Sequence, residues 1–223
     1  MNAKQLAASK AVSFIENGMI VGLGTGTTAY WAIEMLGEKV KKKELEIRAI
    51  ATSKRSEEQA RNLGIPIVSF ADIDQIDITI DGADEADEKM NLIKGGGGAL
   101  LREKIVASNS KMLIIIVDES KLVKHLGKFP LPVETVIFGW EKVFQKLALL
   151  GCSPKLRMEN EKPFVTDNGN YIIDCAFSEI LDAAALHDQI NSIVGIVENG
   201  LFIHLATKLI AGFENGETKI FQQ

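Results

Sequence analysis

The sequence predicts an α/β protein: a doubly wound, mostly parallel sheet of Rossmann-like type, with a second, smaller ferredoxin-like α+β domain. Three observations predict it. Over residues 19–120, short runs rich in Val and Ile alternate with stretches of helical period, the pattern of a parallel sheet covered by helices on both faces. After Gly127 the texture changes to the order β-α-β-β-α-β, a split βαβ unit. At 223 residues the chain is long enough for one large domain or one domain with a smaller companion.

Taken in order, the N-terminus carries an amphipathic helical pattern, and the apolar runs MIVGLG, LEIRAIAT, IPIVSF, IDITID and KMLIIIVD read as strands. Helices are predicted over 28–40, 56–63 and 99–108 between them. The lysines of 39–43, broken only by Val40, end the first of these, where cations face the negative end of the helix dipole. Farther on, FPLPVETVIF is a strand, and Val143, Phe144, Leu147 and Leu150 recur at helical spacing. LRME is a short strand. In PFVTDNGNYIIDCAF, Asn168-Gly169 between two β-rich arms predicts a hairpin, because both residues tolerate positive φ. A helix over 181–191 and the strand SIVGIV finish the unit, and the apolar tail can return to the first sheet. The expected domains are therefore 1–126 with 200–223, the larger α/β domain, and 127–199, the smaller α+β domain.

Composition excludes several classes. The 25 basic and 30 acidic side chains leave a formal charge of -5, which argues against a nucleic-acid partner, so any anionic ligand must be held locally. Hydrophobic residues at 46% and charged residues at 25% are the balance of a globular chain. No apolar run nears the roughly 20 residues of a membrane span, and no signal peptide opens the sequence, so a cytoplasmic protein is expected. Cys152 and Cys175 show neither CxxC nor Cys/His spacing, and His125, His187 and His204 are scattered, so no metal site is expected.

Four motifs carry chemistry. In VGLGTGTTA, a strand breaks into a loop and then a helix; glycines let backbone N–H groups approach an anion, the helix N-terminus adds its dipole, and Thr25, Thr27 and Thr28 add hydroxyls. The same residues also fit an ordinary tight turn or, through Gly24, Gly26 and Ala29, a loose dinucleotide fingerprint. The second strand, however, ends in Thr52, Ser53 and Lys54 without the acid a nicotinamide ribose requires. DGADEAD puts Asp81 and Asp84 at the C-terminal mouth of a parallel strand, suited to sugar hydroxyls or a divalent metal, or else to a solvated acidic turn. In NLIKGGGGALLREK, Lys94 precedes four glycines and a helix bearing Glu103. Glycines are entropically costly to order, so a run of them suits close approach of main chain to a ligand. IIIVDESK ends a fully apolar strand at Lys121.

Together, GTGTTA, DGADEAD, KGGGGALLREK and VDESK resemble the ribose-5-phosphate isomerase type A family, with Thr27 where many members have serine. The resemblance implies an aldose-ketose isomerase of the non-oxidative pentose phosphate branch, interconverting D-ribose 5-phosphate and D-ribulose 5-phosphate without a cofactor, as a homodimer or homotetramer. It implies that Glu103 is the base, that Asp81, Asp84 and Lys94 surround the reacting oxygens, and that Thr25, Gly26, Thr27 and Thr28 contact the phosphate. Gly82, Ala83, Gly95, Gly96, Gly97, Lys121 and Lys4 complete the implied substrate contacts. The chemistry is coherent: a carboxylate removes a proton α to a carbonyl, and a cation meets the developing oxyanion. Burial would raise the Glu103 pKa and a nearby Lys94 would lower it. Two rivals remain: a sugar-phosphate-binding regulatory module, which needs no base, and a metal-dependent phosphatase using the acids of 81–88.

Overall fold

The computed structural model describes residues 1–222, so Gln223, the end of the 200–223 segment, lies outside the described residues. The chain forms α1 (Ala3–Val12), β1 (Ile20–Leu23), α2 (Thr27–Lys41), β2 (Arg48–Ala51), α3 (Lys54–Asn62), β3 (Ile76–Gly82), β4 (Glu85–Ala86), β5 (Leu92–Ile93), α4 (Leu100–Ser108) and β6 (Ser110–Asp118). It continues through β7 (Leu131–Thr135), α5 (Trp140–Ala148), β8 (Ser153–Leu156), β9 (Met158–Glu159), β10 (Lys162–Pro163), β11 (Tyr171–Ala176), α6 (Ala183–Asn191), β12 (Ile196–Asn199), β13 (Leu201–Phe202), β14 (Lys208–Gly212) and β15 (Thr218–Gln222).

These elements fall into two compact units: Met1–Ala83, Arg102–Leu122 and the chain from Leu205 onward form the first, and Asp84–Leu101 with Val123–His204 the second. The division departs from the expected 1–126/127–199 boundary. Residues 84–101 join the second unit because β4 and β5 pair antiparallel with each other and β5 with β13, a three-stranded sheet made of two-residue strands too short to register as periodicity.

In the first unit, six strands run in the order β15-β14-β6-β3-β1-β2, all parallel except the β14–β15 edge pair. The apolar tail does return to this sheet. The β6 stretch Leu113–Val117 is buried throughout, which is why it reads as an unbroken apolar run rather than an alternating one. α1 opens with an Asn2/Gln5 capping box and packs its Ala7, Ala8 and Ala11 face into the main core. IPIVSF, expected as a strand, gives only a bridge of Ile67 to Ala49. Pro66 has no N–H to extend a ladder, so the run makes two bonds around Ala49, at 2.8 and 3.0 Å, and leaves the sheet.

The second unit holds a four-stranded antiparallel sheet in the order β12-β7-β11-β8, with α5 and α6 as its crossovers, as the ferredoxin-like reading expects. Leu131, Val133, Ile173 and Cys175 meet Val143, Leu147 and Ile190 in its core. The hairpin lies elsewhere than expected. β9 and β10 pair around Asn160 and Glu161, both at positive φ (49° and 64°), whereas Gly169 alone is positive in the Asn168-Gly169 turn, closed by Thr166 and Asn170.

Candidate active site

Of the predicted residues in the first unit, the loop after β1, Asp81 and Lys121 lie at the C-terminal ends of β1, β3 and β6, and Glu103 lies in α4. β1 neighbours both β2 and β3, so the strand order reverses between β1 and β3, the point at which open α/β sheets hold ligands. Asp81, on β3, is 1% exposed, and its Oδ1 accepts the N–H of Thr25 at 3.0 Å and of Gly82 at 2.7 Å. Gly24 makes this possible: a Cβ there would stand 2.1 Å from Asp81 Oδ1 and 2.5 Å from its Cα. Ala83 follows as the last residue of the first unit before the chain crosses over.

Thr25 differs from the expectation of a hydroxyl donor to phosphate. Its Oγ1 lies 2.7 Å from Thr52 Oγ1, 2.8 Å from Ser53 Oγ and 3.3 Å from Ser56 Oγ, and its N–H is committed to Asp81. This hydroxyl cluster was partly legible, because Thr52 and Ser53 end the strand beside β1. The remaining loop stays open to a ligand. Gly26 is the N-cap of α2 at φ 110°, no side chain caps the helix, and its first turn carries no acid. The first-turn N–H groups around Thr27 and buried Thr28 therefore keep the dipole's positive end unneutralised. Lys4 donates to Thr27 Oγ1 at 2.9 Å and lies 3.9 Å from Asp118, which places it at this loop. Lys121, half-buried, ends a short 3₁₀ turn that Asp118 caps beyond β6. Glu103 sits in the first turn of α4 and is 4% exposed.

The second unit holds the other predicted residues. Lys94 follows β5, its N–H bonded to Gly200 O at 2.9 Å and its ammonium 5.4 Å from the Phe202 ring centroid. At 2% exposure it is among the largest fully buried side chains, and a buried lysine is rare outside paired or functional settings. The glycine run is a tight turn in which Gly98 N–H donates to Gly95 O at 2.9 Å. Gly95 and Gly98 are buried, and Gly96 and Gly97 form an exposed tip. Asp84 Oδ2 accepts the Gly96 N–H at 2.7 Å, and a Cβ on Gly96 would lie 2.5 Å from the other Asp84 oxygen. Two groups that no motif marked also touch this turn: Arg157 donates to Gly95 O and Gly96 O, and the Phe164 ring lies against Gly98.

The remaining acids of DGADEAD serve the backbone. Glu85 is 3% exposed and accepts the N–H groups of Gly127 and Phe129, at 2.7 and 2.6 Å, and Asp87 accepts from Lys89 and Asn91. The Glu85 carboxylate is thereby directed at main chain, and that of Asp87 at two main-chain N–H groups and the Asn91 side-chain amide.

The family described as ribose 5-phosphate isomerase A (phosphoriboisomerase A) matches residues 48–216. A relative from Bacillus cereus (strain ATCC 10987 / NRS 248), named ribose-5-phosphate isomerase A, is 55% identical over 217 residues, 97% of this chain and 98% of the relative. The chain belongs to the ribose 5-phosphate isomerase A family. Among solved members, the ribose 5-phosphate isomerase from Plasmodium falciparum superposes with a TM-score of 0.96 at 41% identity, covering 99% of this chain and 97% of that one. A D-ribose-5-phosphate isomerase in complex with phospho-erythronic acid gives a TM-score of 0.96 at 40% identity, covering 100% of both chains. The two-unit fold of this family member is therefore shared along its full length.

Proposed function

We propose that the protein interconverts D-ribose 5-phosphate and D-ribulose 5-phosphate by proton transfer through an enediolate, a step of the non-oxidative pentose phosphate branch. Glu103 removes the C2 proton of the open-chain aldose as the electrons pass to the C1 carbonyl oxygen. It returns the proton to C1 while the O2 proton moves to O1, so atoms and charge balance. Lys94 meets the negative charge as it forms on oxygen, and Asp81 and Asp84 bond the sugar hydroxyls whose protons move. A positioned base supplies about 10² to 10⁴ in rate, and an oxyanion partner a comparable factor of about 10² to 10³. The phosphate binds at the uncapped start of α2, with Thr27, Thr28, Lys4 and Lys121 about it.

The observation that carries this reading is family membership along nearly the whole chain, with the motif residues in place. Burial of Lys94 and Glu103 supports it, because ionisable side chains removed from water are retained for a purpose. The phospho-erythronic acid bound to a solved relative supports a phosphorylated open-chain sugar as the ligand class. The finer proposal is a cofactor-independent cytoplasmic enzyme that works as a homodimer or homotetramer on a small sugar phosphate, with neither nucleic acid nor membrane as a partner. Exposed Phe138, Leu149 and Val194 in the second unit support association.

Turnover in deuterated water tests the route. The enediolate predicts deuterium at C1 of the ribulose 5-phosphate formed, in proportion to how often the proton held by Glu103 exchanges with solvent before it is returned, read by mass spectrometry or NMR. Prolonged equilibration over many turnovers in which no deuterium enters either sugar contradicts it.

A further inference from the structure

We propose that Arg157 is a positioning residue for the glycine turn, fixing the peptide planes of Gly95-Gly96 and Gly96-Gly97 so that the Gly97 N–H is presented as a donor to a substrate oxygen. The proposal rests on the isomerase reading for its kinetic consequence, but its geometry stands within the second unit alone.

Arg157 is placed by rigid structure on every side. Its N–H bonds Ile172 O at 2.8 Å and its carbonyl accepts from Phe164 N at 2.9 Å, which ties the residue, just past β8, between β11 and the chain that leaves β10. Its guanidinium forks onto Asp174 of β11, Nε to Oδ2 at 2.9 Å and Nη2 to Oδ1. A planar fork held by a carboxylate has one orientation, which a lysine ammonium lacks. The remaining nitrogen, Nη1, points at the glycine turn and donates to Gly95 O at 3.0 Å and Gly96 O at 3.1 Å. The side chain is 14% exposed, so these bonds are partly shielded from water.

A trans peptide sets its C=O and N–H on opposite sides. Holding the Gly95 carbonyl therefore aims the Gly96 N–H away from Arg157, and it meets Asp84 Oδ2 at 2.7 Å. Holding the Gly96 carbonyl aims the Gly97 N–H away in the same manner, on the exposed tip of the turn. The cation on the carbonyl side also polarises both peptides, strengthening the N–H groups as donors to an anionic oxygen. Phe164 closes the far end: a Cβ on Gly98 would come within 2.5 Å of its ring, and the Arg157 guanidinium carbon lies 5.8 Å from that ring's centroid. Glycine is entropically free to take other shapes, so the clamp supplies the order that the sequence Gly95-Gly98 lacks.

The test compares wild type with Arg157→Lys and Arg157→Ala, measuring kcat and KM for ribose 5-phosphate and amide hydrogen exchange over residues 94–99. The expected result is a kcat lower by about 10- to 100-fold with KM changed only a few-fold, the loss that misplacement of a reacting geometry produces. Exchange at 94–99 rises and exchange in β7 and β11 stays slow, which separates a loosened turn from an unfolded unit. Added guanidinium ion recovers part of the Arg157→Ala loss. Wild-type activity with Arg157→Lys within twofold of it, or unchanged exchange at 94–99, overturns the clamp. An inactive wild type whose 94–99 exchange still rises in Arg157→Lys overturns the isomerase reading and leaves the clamp standing.

Discussion

Asp81 is held by the main-chain N–H of Thr25, from the loop after β1, and by that of Gly82 beside it, and a single hydrogen atom, that of Gly24 in place of a Cβ, leaves room for it. Gly24→Ala must therefore move either the carboxylate or the strand behind it. The expected outcome is a kcat loss on the order of 10²-fold, the cost of an ångström-scale displacement, with the far-ultraviolet circular dichroism of the folded protein retained. Kinetics near those of wild type would show that Asp81 is not needed where it sits. At this scale the sequence was most legible for residues inside short motifs: Asp81, Asp84, Lys94 and Glu103 stand where strand ends and glycine runs announce them. Arg157 was not legible, because its meaning comes from contacts 61 and 62 residues away in the chain. Thr25 was legible as a hydroxyl near the loop but not as a member of a hydroxyl cluster, since that depends on β1 and β2 lying side by side.

Whole elements are pinned by similar small devices. Asp77, on β3, accepts the Ile20 N–H at 2.9 Å and pairs with Lys111 at 2.8 Å, joining the starts of β1, β3 and β6. The Ile20 hydrogen bond, then the Lys111 bond, hold its carboxyl below the ordinary carboxylate range. A depressed carboxyl stabilises the fold above its unfolded pKa of about 3.9, and that contribution is lost as pH falls through the lower folded value. Asp77→Ala is expected to cost about 1 kcal/mol at neutral pH in urea unfolding, the gap to wild type narrowing below about pH 4. A gap that widens on acidification contradicts this assignment. The long elements were readable because burial writes itself into the sequence, as an unbroken apolar run in β6 and as a helical period in α2. IPIVSF was not, because an apolar run with proline at its second position satisfies hydrophobicity yet supplies only a bridge to the sheet. The β9–β10 hairpin was hidden because Asn160-Glu161 takes positive φ without glycine, and Asn168-Gly169 drew the reading to the wrong turn.

Across the whole molecule, the chain passes between its two units near residues 83, 101, 122 and 204, so neither unit is one continuous segment. This interleaving is why the expected boundaries, 126/127 and 199/200, divide the sequence differently from the structure: they leave 84–101 with the first unit. Cys175 offers a probe of the second unit as a whole. The neighbouring Cys152 thiol and burial push its pKa up, whereas Cys152 is half-buried and its own pKa is lowered by the contact with Cys175. A thiol reagent is therefore expected to label Cys152 first, and Cys175 only as the unit unfolds in denaturant; equal labelling rates in the native protein contradict the packing described. Sedimentation at micromolar concentration should give two or four times the 24.3 kDa chain mass, and a monomer there argues against the proposed assembly. Base-catalysed isomerisation by Glu103 is decided by converting ribose 5-phosphate to ribulose 5-phosphate with purified wild type beside Glu103→Gln, in the presence of chelator. The expected result is turnover by wild type and a loss of at least about 10²-fold in the variant, whereas a folded Glu103→Gln that retains wild-type turnover rules out Glu103 as the base.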